Sequence, residues 1–200
     1  MKTFVKTIVG AALGVLMFAP VSQAATFSLD FSVPMTVFDM PAADATTGSV
    51  FEGMIGTDTA KIQYRTPWEN TIHAQEKYTS VQANSSATYN LISNNGKVSF
   101  VWGSVDFFNT VVFYKNGAVV DYLKGQPVID AGALAGSSFA QISIMAGGAF
   151  DQISFLSSQN AFEFANLRVS AVPLPESITL YGAGVFVLAL LGWRRRRQQA

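Results

Sequence analysis

The sequence predicts an all-β protein: an antiparallel β-sandwich of jelly-roll-like type, flanked by an N-terminal signal helix and a C-terminal transmembrane helix. Three observations carry that expectation. Between Thr26 and Ser170 the apolar residues recur at period two rather than 3.6. Turn signals of the Asn-Gly and Gly-Gly kind separate the apolar runs. Outside that body, the pattern changes to two continuous apolar stretches with basic flanks.

The chain opens with Lys2 and Lys6, then an apolar run of 12 residues from Ile8 to Ala19. Ser22-Gln23-Ala24 follows and fits a small-x-small cleavage site. Residues 1–24 therefore read as a signal peptide cut after Ala24, too short to span a hydrocarbon core of about 30 Å. Within the body, Phe27-Leu29-Phe31-Val33 alternates with Ser28-Asp30-Ser32 as a first strand. Met40 to Gly56 is rich in Ala, Asp, Thr and Gly and reads as a loop. Thr66-Pro67-Trp68-Glu69-Asn70 reads as a second loop.

From Thr88 onward strands and turns alternate. Asn95-Gly96 lies between Thr88–Ser93 and Lys97–Trp102, and Asn116-Gly117 between Phe107–Tyr114 and Ala118–Leu123. Gly147-Gly148 lies between Phe139–Met145 and Phe150–Leu156. Each reads as a hairpin, because Asn and Gly tolerate the positive φ angles of a tight turn. No stretch keeps an apolar helical stripe for ten residues. In the last strand Phe162 and Phe164 share one parity, Leu167 and Val169 the other. If all four point inward, a bulge is required near Ala165-Asn166; otherwise the strand is covered on both faces. About ten short strands of this kind suit a sandwich or jelly roll.

The formal charge is zero, with 13 basic and 13 acidic residues. That zero averages unlike parts. The body holds 7 basic against 12 acidic residues, a net −5, while the ends are basic. An acidic body argues against nucleic acid as a partner. The absence of cysteine excludes disulfides and thiolate sites. The single histidine, His73, excludes multi-histidine metal sites, and nothing calls for a cofactor.

The tail is tripartite: Val172-Pro173-Leu174-Pro175-Glu176-Ser177, an apolar run of 16 residues from Ile178 to Trp193, then Arg194, Arg195, Arg196 and Arg197. At about 1.5 Å per residue the run extends about 24 Å, and the arginines would stay cytoplasmic. Both ends thus agree on a body outside the inner membrane. Residues 172–197 resemble the PEP-CTERM sorting signal of Gram-negative bacteria, also known as an ice-binding-protein C-terminal domain. That second label describes the tail and not ice binding, and the body has no threonine repeat. The box departs from the usual pattern at Ser177, where a second proline is expected. The resemblance implies export through the Sec machinery, cleavage by signal peptidase, a transient stay in the inner membrane, and exosortase as the sorting partner. A permanent membrane anchor is the alternative.

Phe100-Val101-Trp102-Gly103-Ser104-Val105-Asp106, Asn109-Thr110-Val111, Phe150-Asp151-Gln152-Ile153 and Ser158 to Leu167 are similar to exosortase-dependent surface proteins with a jelly-roll-like ectodomain. Relatives often carry an aspartate where this chain has Ala165. The resemblance implies a cell-surface or extracellular-matrix location and brings no defined activity.

Candidate chemistry is sparse. Trp68, in a loop beside Tyr64, Arg65 and Glu69, is the aromatic best suited to meet a glycan, with Tyr64 beside it. Trp102 continues the Val98-Phe100 face and reads as core, with Asp106 or Asn109 capping loop amides. Asp121, Asp130, Asp151 and Glu163 could supply calcium oxygens if they converged. His73 lacks a Gly-x-Ser-x-Gly partner and reads as a loop histidine. A non-catalytic role at the surface, structural or associated with extracellular polysaccharide, is expected. A polysaccharide-acting enzyme with paired carboxylates is the competing class.

Overall fold

The computed structural model describes residues 25–58, 63–133, 135 and 140–171. The expected signal peptide with Ala24, and the tail with Pro173, Pro175, Glu176 and Arg194 to Arg197, lie outside the described residues. Among the described residues no helix is long and apolar enough to cross a membrane.

The described chain is all-β and antiparallel. Its strands are β1 (Thr26–Asp30), β2 (Ala45–Thr47), β3 (Val50–Met54), β4 (Tyr78–Val81), β5 (Ser85–Gly103), β6 (Asn109–Lys115), β7 (Ala118–Lys124), β8 (Ala140–Ser157) and β9 (Phe162–Ala171). One short helix, α1 (Gly125–Asp130), follows β7. All nine strands join one sheet in the order β3-β4-β9-β5-β8-β6-β7, with β1 added to β8 and β2 to β5.

β5 and β8 are far longer than a typical strand of five or six residues. They pair with each other along their whole length, from Ser85↔Ser157 to Trp102↔Ala140, with irregularities between Asn90 and Lys97. The hairpins expected at Asn95-Gly96 and Gly147-Gly148 do not form; both dipeptides lie inside these strands. Positive φ angles occur instead at Asn116 (51°) and Gly117 (78°), where the expected β6–β7 hairpin does close.

At these irregularities the buried parity changes on both strands. Ala87 and Tyr89 are buried before it on β5, Val98, Phe100 and Trp102 after it. On β8, Ile142 and Ile144 give way to Ile153 and Phe155. The two strands turn together, and the sheet folds over its own inner face. One half contains β2, β6, β7 and the first part of β5; the other contains β1, β3, β4, β9 and the second part.

Rings close the space between the halves. Phe155 stacks on Phe164 at 3.9 Å and meets Phe100 edge-on at 5.1 Å. Trp102 stacks on Phe162 at 4.5 Å. Such contacts exceed simple area burial by roughly 0.5–1.5 kcal/mol each. Trp102 is thus core.

Two expectations need correction. Met40 to Gly56 is not all loop, because it contains β2 and β3. Both are edge strands of three to five residues, too short to display a period. The first strand stops at Asp30, whose carboxylate accepts the Ser32 amide; Phe31 and Val33 are exposed beyond it.

The bulge is present. Ser99 pairs Arg168 while Val101 pairs Ala165, so β9 spends one extra residue there, and Asn166 has φ 54°. Leu167 packs against the core, but Val169 is about a third exposed.

The ends of the domain are neighbours. Thr26 pairs Met145, Met145 pairs Lys97, and Lys97 pairs Ser170. Thr26 and Ser170 therefore stand in one row across the sheet, about 14 Å apart at ~4.8 Å per strand. The opposite end of this half, at Gly103 and Glu163, is about 20 Å away at ~3.3 Å per residue.

Candidate functional site

At that far end, loop residues 63–77 cross the outer face of β4, β9 and β5. Trp68, Tyr78, Val101 and Ala165 form a second buried cluster there, with Val37, Met54 and Tyr64 packed against it. The loop approaches closely because Gly103 has no side chain: a Cβ there would lie 2.7 Å from the Cβ of Pro67. Beyond Gly103 the chain turns at Ser104, with φ 38°.

Glu163 sits under this loop, only 3% exposed. Its Oε2 accepts the Ser104 hydroxyl at 2.8 Å. Its Oε1 accepts the Arg65 backbone N–H at 3.1 Å and, weakly, the Ser80 hydroxyl at 3.5 Å. Burial pushes its carboxyl up to about 7; the Ser104 and Arg65 bonds oppose that, and the charge of Asp106 adds to it. Asp106 is itself pushed up by burial.

Both acids line one cleft of about 210 Å³, together with Tyr64, Arg65, Ser104 and Asn160. The cleft thus holds a protonatable carboxyl, a second carboxylate, hydroxyl and amide donors, and an aromatic edge. Such a set can hydrogen-bond a sugar, and a raised carboxyl beside another carboxylate can in principle exchange protons near neutrality.

The expected glycan pair is split. Tyr64 lines the cleft while packing near Phe51 and Tyr78 at 5.3 and 6.5 Å. Trp68 is fully buried and cannot offer a face to a ligand. Its ring meets His73 at 5.5 Å, edge-on. The loop lies on the sheet instead of projecting, because Trp68 fills the hollow above Ala165 and Val101. His73 is a loop histidine as expected, its Nε2 2.7 Å from the Pro34 carbonyl oxygen.

Asn109 is fully buried, its Oδ1 accepting Ser157 Oγ at 2.7 Å and its Nδ2 donating to the Ala161 carbonyl. The four acids considered for calcium do not meet. Asp121 accepts the Tyr122 and Gly147 amides, Asp151 accepts the Asn116 amide and pairs with Lys115, and Asp130 accepts Gln126 Nε2. Among the described residues no three His, Asp or Glu converge to hold a metal.

Sequence reasoning missed the pairing of Glu163 with Asp106 and the part played by Ser104 and Ser80. One signal was available. Ala165 shares Glu163's parity on β9, and a small apolar residue on an outward face indicates a cover. No protein-family model matches the chain, and no curated protein does.

Proposed function

We propose that this chain is an exported bacterial surface protein, sorted by exosortase, with a jelly-roll-like ectodomain in a non-catalytic, polysaccharide-associated role in the envelope or extracellular matrix. One observation carries the tethered arrangement: Thr26 and Ser170 leave the domain from a single row of the sheet. A domain whose ends leave together is held by the same edge before and after the signal segment is cut, and the end opposite that edge faces outward. The cleft of Glu163, Asp106 and Tyr64 lies at that far end. The acidic body between basic ends supports the same reading, since the basic segments address the protein and the body reaches the exterior.

In this reading the precursor passes Sec and signal peptidase, pauses in the inner membrane by residues 178–193, and is released by exosortase at the Val172–Ser177 box. The test is the mass of the surface-exposed form. A mature protein beginning at Ala25 or Thr26 and ending within or near the box is expected. A surface form still carrying Arg197 overturns sorting in favour of a permanent anchor.

A second reading has its own observation. Asp106 and Glu163 share a cleft and both are pushed up, as a polysaccharide-acting enzyme requires of its acid. Against it, Glu163 already accepts Ser104, Arg65 and Ser80. Hydrolysis of a matrix polysaccharide by the wild type, lost in both Asp106→Asn and Glu163→Gln, would establish the enzyme.

A further inference from the structure

A second cleft lies apart from the one beside Glu163. It measures about 440 Å³ and lies in the other half of the folded sheet, lined among others by Ser86, Phe107, Phe108, Thr110, Lys124 and Ser158. Its size falls within the range of ligand pockets. It too sits away from the domain's ends, where Ser85 pairs Ser157 and Ser157 pairs Asn109.

Its chemistry differs from the rest of the surface. The body carries 12 acids against 7 bases, yet no carboxylate lines this cleft and one lysine does. Phe107 is more than half exposed, and its ring meets Phe108 edge-on at 5.2 Å. Hydroxyls and an amide from Thr47, Asn84, Ser86, Thr110 and Ser158 complete the wall.

The backbone segments that carry the aromatic and the lysine are held in fixed relation, while Lys124 Nζ lies 6.0 Å from the Tyr122 ring centroid. A Cβ at Gly125 would lie 2.0 Å from the Asp106 carbonyl oxygen and 3.5 Å from Phe107 Cα. The residue after Lys124 is therefore packed directly on the loop that presents Phe107. Ser158 N donates to the Phe108 carbonyl and ties that loop from its other side.

We propose that this cleft binds a segment of uronic-acid polysaccharide, with a sugar ring on Phe107, its carboxylate on Lys124 and its hydroxyls on the Ser and Thr wall. The inference rests on the polysaccharide-associated reading and names the site and the sugar class. An aromatic face takes the apolar side of a pyranose ring, the hydroxyls match its edge, and a lysine without a protein carboxylate favours an acidic sugar. The surrounding negative charge discriminates against polyanions that do not seat on Lys124.

The test uses the full ectodomain in affinity electrophoresis and pull-down. The polymers are polygalacturonate, its fully methyl-esterified form, dextran, and matrix polysaccharide from the producing bacterium. Wild type is expected to bind polygalacturonate, at least fivefold more weakly once esterified. Lys124→Gln should lose that preference, and Phe107→Ala should weaken binding tenfold or more. Both side chains are exposed, so an unchanged melting temperature certifies the variants. Equal binding to the acid and its ester, or no binding to polygalacturonate, overturns the uronate assignment. Binding to the matrix polysaccharide that neither variant alters overturns this cleft and leaves the broader reading standing. No binding to any polymer overturns both.

Discussion

The first half of β9 is buried on both faces, for different reasons. Phe162 and Phe164 point into the folded sheet, where they stack on Trp102 and Phe155. Glu163 and Ala165 point the other way and are covered by a loop rather than by a second sheet. The inner face is mostly apolar and packs ring against ring, its buried polar atoms being Trp102 Nε1 and Tyr89 Oη. The outer face mixes Trp68 and Tyr78 with a carboxylate, so its burial depends on hydrogen bonds from Ser104, Arg65 and Ser80. Shape and ring packing settle one face; a polar network sets the other.

If that contrast holds, Phe164→Ala is the most damaging change. It leaves a void beside Phe155, Tyr89 and Phe100, which rings from both halves cannot close without moving the sheet. A loss of about 3–5 kcal/mol is expected in urea denaturation. A cost below about 1 kcal/mol would mean that the two halves do not meet across this ring.

Glu163 sharpens the contrast through pH. Its folded carboxyl is raised from 4.5 to about 7, so between those values the folded protein holds a proton that the unfolded chain has released. Its contribution is full below 4.5 and fades as pH rises through 7. At ~1.4 kcal/mol per pH unit the total is on the order of 3 kcal/mol. Melting temperature should therefore fall from pH 5 to pH 8, and Glu163→Gln should flatten that fall. An equal slope in wild type and variant would remove Glu163 as its source.

The inner face was legible in the sequence, and the outer one largely was not. Val98-Phe100-Trp102, Ile142-Ile144 and Phe162-Phe164 announce themselves by alternation, and Asn116-Gly117 announces its hairpin. Asn95-Gly96 and Gly147-Gly148 misled, because a corner in a long strand and a hairpin turn both need permissive residues between apolar runs. Only long-range pairing tells them apart, and one sequence does not carry it. Trp68 misled for a related reason: a tryptophan in a Pro-containing loop looks ligand-facing until the sheet beneath it is known. Tyr64, Asp106 and Glu163 were each noticed, but they are 42 and 57 positions apart in turn, so their common cleft was not.

The bulge joins the two faces and offers a milder test. Asn166 Oδ1 accepts the Phe38 amide at 3.0 Å, and its Nδ2 donates to the Thr36 carbonyl. Arg168 donates to the same carbonyl at 3.0 Å and lies over the Phe38 ring. Asn166→Ala removes these side-chain bonds and puts alanine at positive φ, a combined cost of roughly 1–3 kcal/mol. Asn166→Gly relieves the backbone term only and should recover part of it. Limited proteolysis should find residues 31–43 cut sooner in both variants. Unchanged cleavage would show that Asn166 shapes β9 without holding the loop.

Val169 gives the smallest effect and the sharpest check on parity. The sequence gives it the parity of Leu167, and in the folded domain it pairs Val98 across the sheet yet remains 36% exposed. The bulge restores Leu167 to the core, but beyond it β9 runs out toward the row where the domain ends, and nothing described covers that end. Val169→Thr keeps the β-branched shape and swaps a methyl for a hydroxyl that solvent can reach. The cost should be within about 0.5 kcal/mol, as for most surface substitutions. A loss of 2 kcal/mol or more would mean that the end of β9 is covered, by the segment after Ala171 or by a partner. Repeating the measurement on a domain truncated after Ala171 separates these, because only cover by the chain's own tail disappears with the truncation.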